Sequence, residues 1–145
     1  MHPFPHHYPV AASASFDSDV SLTAPGVTVI KSAGPVEFGG PGDLWSPESL
    51  LVASVADCFV LSFRAIARAA RFDWVNLDCQ VNGTLDRVDG QSQFTDFVVK
   101  ATLAIPKGAD VAKAEKLLHK AERGCLITNS LHAESHLELE VVETK

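Results

Sequence analysis

Basic charge is scarce in this chain. Twelve Lys and Arg stand against eighteen Asp and Glu, a formal charge of −6. That excludes the basic face with which a nucleic-acid binder neutralises phosphates. Arg is absent before Arg64, and Lys31 is the only Lys or Arg in the first 63 residues. The three cysteines, Cys58, Cys79 and Cys125, are odd in number and widely spaced, which is no disulfide framework, and no C-x-x-C points to zinc or to a thioredoxin motif. No H-E-x-x-H occurs, so His2, His6, His7, His119, His132 and His136 are expected to be solvated or capping groups and not metal ligands. The opening "MHPFPHHYPV" has no Lys or Arg ahead of an apolar run, so no secretory leader is expected. Asp57 and Arg64 interrupt the longest apolar stretch, so no membrane span is expected either. These absences together point to a cytoplasmic protein with reduced thiols.

What is present is the composition of an ordinary globular chain, 46% hydrophobic and 21% charged. Its 145 residues suit a single domain over 1–145, with 1–7 and 144–145 expected to be loose. Residues 8–32 read as extended chain, with Pro25-Gly26 turning between "VSLTA" and "VTVI". The Gly- and Pro-dense stretch 34–47 reads as a loop delivering a helix, with Ser46 as N-cap and Pro47 at the first helical position. That helix is expected to reach about Ala70 or Arg71. Leu50, Leu51, Val55, Cys58, Leu61, Ala65 and Ile66 recur at helical spacing, and the far side is also apolar, so burial nearly all round is expected. Arg64, Arg68 and Arg71 gather at its end, where they match the negative end of the helix dipole.

From Trp74 the period changes to two, giving a strand with one wet face; Asp89-Gly90 is a hairpin turn, and "FTDFVVKATLAI" returns. Asp110 caps a second amphipathic helix, which Gly124 closes; "LITNSL" then leads to a last strand, "HLELEVVE". The class is therefore α+β with mainly antiparallel pairing.

Cys79 fills an apolar slot of an alternating strand and reads as a structural thiol. Cys58 also fills an apolar slot, about three turns inside its helix and without a neighbouring cation, so its surroundings alone read as an inert core thiol. Ser54 and Ser62 lie within a turn of it and could donate to a thiolate, although mid-helix serines more often bond back to their own backbone. Glu48 suits the first helical turn through the dipole. At about 1.5 Å per residue it lies about 15 Å from Cys58 along a straight helix. Two such helices packed antiparallel would set Glu48 of one subunit beside Cys58 of the other.

"SPESLLVASVADCF" with "AERGCLITNSL" downstream resembles the OsmC/Ohr family of thiol-dependent hydroperoxide reductases, and the Gly-rich loop, the "DRVDG" hairpin and the "LELEV" strand fall in the same order. The resemblance covers roughly residues 8–143. It implies an intertwined α+β homodimer, with antiparallel sheets around a buried central helix and active sites at the subunit interface. It implies that Cys58 is the peroxidatic cysteine, that Cys125 is the resolving cysteine, and that Glu48 is the acid which the family pairs with an arginine. The implied substrate is an organic hydroperoxide, reduced through a Cys58 sulfenate and a Cys58–Cys125 disulfide. An external dithiol or lipoyl-type reductant then restores the thiols, with no bound cofactor. Two positions depart from the family: Leu126 follows Cys125 where proline is common, and the arginine is missing from the upstream strand region, which reads "ASASFDSDV". A lysine in its place offers a point charge and no planar fork. An unpaired Glu48 beside the thiol would raise its pKa. The competing readings are a redox sensor or small-molecule-binding protein of the same fold, and a structural homodimer with incidental cysteines.

Overall fold

The computed structural model describes residues 1–145, which separate into two compact units, Met1–Leu50 and Leu51–Lys145. In the first, β1 (Ala11–Ser13), β2 (Val20–Thr23) and β3 (Ile30–Ser32) form an antiparallel sheet in sequence order. The expected turn at Pro25-Gly26 is present, with Gly26 at φ 78°, a conformation that glycine adopts freely. The following loop holds one short 3-10 turn, Val36–Phe38, that the Gly and Pro content did not reveal. Gly40 is required there, because a Cβ would collide with the carbonyl of Gly34. No apolar side chain of this unit is buried, and Phe16, Val27, Ile30, Phe38 and Trp45 are all exposed. Such a sheet, with strands of three or four residues, needs another apolar surface for stability.

The helix α1 (Pro47–Ala69) starts as its sequence dictates. The Ser49 amide donates to Ser46 Oγ (3.1 Å) while the Ser46 amide donates to Ser49 Oγ (2.9 Å), a reciprocal cap in which serine does the work usually given to glutamate. It ends where Arg71 turns into a left-handed conformation (φ 51°).

The second unit continues with β4 (Asn76–Val88), β5 (Gln91–Ile105), α2 (Val111–Arg123), α3 (Leu126–Asn129) and β6 (Glu134–Glu143). The β4–β5 hairpin turns at Asp89-Gly90, both residues with positive φ as a type I′ turn requires. The Lys113 amide donates to Asp110 Oδ1 (2.9 Å), which caps α2 as expected. Gly124 closes α2, although at φ −92° it does not use the left-handed freedom of glycine. The pairing is mainly antiparallel, as expected; the exception is β6, which joins β5 in parallel and gives a mixed sheet of order β4-β5-β6. A parallel return needs a long crossover, and α2 with α3 supplies it.

The core is one cluster. Phe97, Val99, Ala101, Leu103 and Ile105, alternate residues of β5, are buried with Leu77 of β4 and with Ala114, Leu117, Leu118 and Ala121 of α2. From α1 come Val55, Phe59, Phe63 and Ala67. Burial of α1 nearly all round is therefore not what this chain provides. Its buried stripe is i, i+4 through Val55, and Leu61, on the side that the spacing favoured, is 50% exposed. The membrane reading also changes. Asp57 and Arg64 do not suffice to exclude a span, because α1 is long and apolar enough to cross a bilayer by length and composition, with a mean hydropathy of 1.9. A core helix meets the same criterion, and the Val55–Ala67 stripe of α1 lies in the protein core.

At Gly83, β4 passes close to α1. A Cβ there would sit 2.8 Å from Val52 Cγ2 and 2.9 Å from Phe97 Cε1. Gly83→Ala is expected to destabilise by about 1–3 kcal/mol through overpacking, read as a lower denaturation midpoint with an unchanged m-value.

Candidate functional site

Cys58 lies in the middle of α1, half-buried, and its Sγ has Ser62 Oγ 3.9 Å away, one helical turn on. The two serines near it behave differently. Ser54 Oγ donates to the Leu51 carbonyl at 2.6 Å, whereas Ser62 faces the sulfur. Cys125, two residues beyond α2, is the N-cap of α3 and only 2% exposed. Cys58 is among the groups that perturb its thiol, so the two sulfurs are electrostatic neighbours. Helix α1 and the α2–α3 junction thus bring together two cysteines that lie far apart in sequence.

Burial is the main reason that the Cys125 pKa is raised; the Thr128 hydroxyl and amide oppose it, and Cys58 adds to it. Thr128 was not singled out from the sequence. Its signal is a hydroxyl three residues after the capping position, where a side chain meets the start of the helix, and its Oγ1 also donates to the Cys125 carbonyl at 3.1 Å. Cys79, inward-facing on β4, has its pKa raised to about 11, first by burial and then by the charge of Cys125. It therefore stays protonated in the neutral range, as a structural thiol should. None of the groups shifting Cys79 or Cys125 is a cation.

Glu48, in the first turn of α1 as the dipole favours, belongs to the first unit. Its Oε2 is closed off from solvent and has no hydrogen-bond partner. Lys31 does not supply one: its Nζ donates to Ser21 Oγ at 2.6 Å on an exposed edge. His136 Nε2 lies 2.7 Å from Asp96 Oδ1 at the surface, and no group of three or more His, Cys, Asp or Glu is arranged to hold a metal ion.

A half-buried helical cysteine with a second thiol at its side, inside this α+β topology, can be compared with known proteins. The OsmC-like protein family profile matches residues 40–140. This chain belongs to the OsmC-like family. It is 24% identical to protein YmaD of Bacillus subtilis over 139 residues, 93% of each chain. It is 29% identical to peroxiredoxin OsmC of Escherichia coli over 96 residues, 66% of each chain. Among solved structures, an OsmC-like protein from Vibrio cholerae superposes with a TM-score of 0.85 at 19% identity, covering 94% of this chain and 100% of that one. The organic hydroperoxide resistance protein OhrB of B. subtilis superposes with 0.65 at 20% identity, covering 94% and 98%. At these identities the structural likeness is one of fold, and it places the α+β architecture with that of the OsmC and Ohr proteins.

Ser62 is the one hydroxyl positioned to donate to the Cys58 sulfur. Ser62→Ala is expected to slow alkylation of Cys58 by iodoacetamide at pH 7 by about three- to tenfold, since a hydrogen bond to a charged group contributes about 1.5 kcal/mol or less at this length. Equal rates for the two proteins over pH 6–10 would show that the hydroxyl does not act on the sulfur.

Proposed function

We propose that this OsmC-like protein is a thiol-dependent peroxidase of organic hydroperoxides, with Cys58 peroxidatic and Cys125 resolving. The observation that carries the reading is the pairing of these two thiols, one half-buried on α1 and one buried beside it. The Cys58 thiolate attacks the terminal oxygen of ROOH, the O–O bond breaks, and the alkoxide takes a proton to leave as ROH. The Cys125 sulfur then displaces hydroxide from the Cys58 sulfenic acid, forming the disulfide and water. An external dithiol or lipoyl-type reductant returns both to thiols by exchange, so no bound cofactor is required. The setting proposed is the reducing cytoplasm.

The reading includes a homodimer. Its support is the surface that one chain leaves uncovered: Leu61 on α1, and a first unit with no buried apolar side chain. Packing α1 helices of two copies antiparallel would bring Glu48 of one toward Cys58 of the other, the arrangement that helical rise forbids within a straight helix. The test is consumption of cumene hydroperoxide with dithiothreitol or dihydrolipoamide by wild type, Cys58→Ser and Cys125→Ser.

A further inference from the structure

The overall excess of acid is spread unevenly over the chain. On α2, Lys113, Lys116, Lys120 and Arg123 recur at intervals of three, four and three residues. At about 3.6 residues per turn that spacing keeps all four within about a quarter turn, in one stripe about 15 Å long. The core residues Ala114, Leu117, Leu118 and Ala121 lie to one side of the stripe, and Glu115 and Glu122 to the other. All four cations are exposed. The ion pairs of the chain use Lys100, His119 and His136 and none of these four. The helix dipole accounts for Lys120 and Arg123 in the last turn, but it disfavours Lys113 in a first turn that carries no acidic residue. Lys113 Nζ donates to the Ala70 carbonyl at 3.2 Å, which fixes the side chain and leaves its charge without a carboxylate.

The stripe leads to the cysteine pair. Arg123 is the last residue of α2, and Cys125 lies two residues on. The turn between them is pinned, with the Gly124 amide donating to the Lys120 carbonyl at 3.0 Å and Asn129 Nδ2 to the Arg123 carbonyl at 3.3 Å. Cys125 itself is almost wholly buried, so a dithiol that reduces its disulfide has to arrive on a narrow arm. The affinity for whatever carries the arm then has to come from the surface alongside. A row of unpaired cations offers that surface to carboxylates, and it steers and orients the encounter more than it tightens it. The net charge of −6 repels a partner that is negative over a long extent, as a nucleic acid or a membrane is, and so favours a compact acidic protein.

From the unpaired stripe and its course toward Cys125, we infer that α2 is the docking surface for the reductant, an acidic protein that carries its dithiol on an arm. The role of reductant rests on the peroxidase reading; the face and the charge of the partner go beyond it. One partner thiolate attacks the Cys58–Cys125 disulfide, forming a mixed disulfide and releasing the other cysteine as a thiolate. The second partner thiolate then displaces the remaining cysteine. The partner ends as a disulfide, two electrons poorer, and its two thiol protons end on Cys58 and Cys125.

Three labelled peptides of equal length test it, each bearing a lipoyl group and rich in glutamate, glutamine or lysine. With the lipoyl group oxidised, fluorescence anisotropy reads docking on the full-length protein. With it reduced, kcat/KM for the peptide in cumene hydroperoxide turnover reads delivery of the dithiol. At about 20 mM salt the glutamate peptide is expected to exceed the glutamine peptide at least about tenfold in both, and at about 0.5 M the advantage should vanish. The triple variant Lys116→Gln, Lys120→Gln, Arg123→Gln should erase the preference. Its turnover with uncharged dithiothreitol should stay within about twofold of wild type, as expected of a folded protein with intact thiols. Equal binding of the glutamate and glutamine peptides at low salt would overturn the inference, as would a preference that survives the triple variant. So would tighter binding of duplex DNA or phosphatidylserine vesicles than of the glutamate peptide at about 0.15 M salt, or an oligomer of this chain that the triple variant disperses. Absence of turnover with dithiothreitol would instead strike the peroxidase reading and the role of reductant, while the anisotropy still decides the docking face.

Discussion

Cys58→Ser is expected to reduce cumene hydroperoxide consumption at least about a thousandfold, to the rate of the buffer and dithiol alone, because the nucleophile itself is removed. Cys125→Ser should behave differently. The first oxidation at Cys58 still occurs, so one equivalent of peroxide is consumed rapidly. Turnover then slows because the sulfenic acid has no internal partner and waits for an external thiol, or advances to the sulfinic acid. The two variants therefore separate attack from resolution. Rapid quench with one equivalent of peroxide reads the first, and steady-state consumption reads the second. If Cys58→Ser retained wild-type turnover, the sulfur on α1 would not be the reacting one. If Cys125→Ser turned over at the wild-type rate with dithiothreitol, the pairing of the two thiols would have no part in resolution.

The second large effect concerns the core that holds these thiols in place. Phe63 is fully buried on α1, one turn beyond Phe59, and meets Trp74 edge-on with ring centroids 5.5 Å apart. Phe63→Ala removes that contact and leaves a cavity between α1 and the start of β4. The expected loss is about 3–5 kcal/mol, a large share of the stability of a small domain. Thermal unfolding should record a fall in Tm of roughly 10–16 °C. A loss under about 1 kcal/mol would mean that the Val55–Phe59–Phe63–Ala67 stripe is not the face on which α1 is anchored.

That stripe also shows how far the sequence could be read. Caps and turns were legible because each rests on a local rule: Ser46 and Asp110 bond to nearby amides, and Asp89-Gly90 adopts the positive φ values its turn needs. The face of α1 was not legible. A helix apolar on both sides carries no contrast from which to choose a phase, so spacing nominated Val55 together with Cys58 and Leu61, while packing in the core kept Val55 and joined it to Phe59, Phe63 and Ala67 instead. The parallel pairing of β6 had a signal that the alternation of the strands masked, since a helix between two strands is the usual mark of a crossover. Likewise, strand alternation placed Cys79 inward but could not show that its charge neighbour is Cys125. For the site, the cysteine pair came from motif order. Ser62 was within reach of helical spacing, Thr128 was missed, and the unpartnered oxygen of Glu48 depends on an enclosure that no spacing rule describes.

The central claim is that Cys58 and Cys125 form one redox pair. Its most direct test is peptide mapping of the wild-type protein after a single equivalent of cumene hydroperoxide, with thiols blocked before digestion. The account predicts a Cys58–Cys125 disulfide-linked peptide as the main oxidised product, with Cys79 alkylated as a free thiol. Cys58 recovered as sulfinic acid with Cys125 free, or a disulfide that uses Cys79 in place of Cys58, would contradict it.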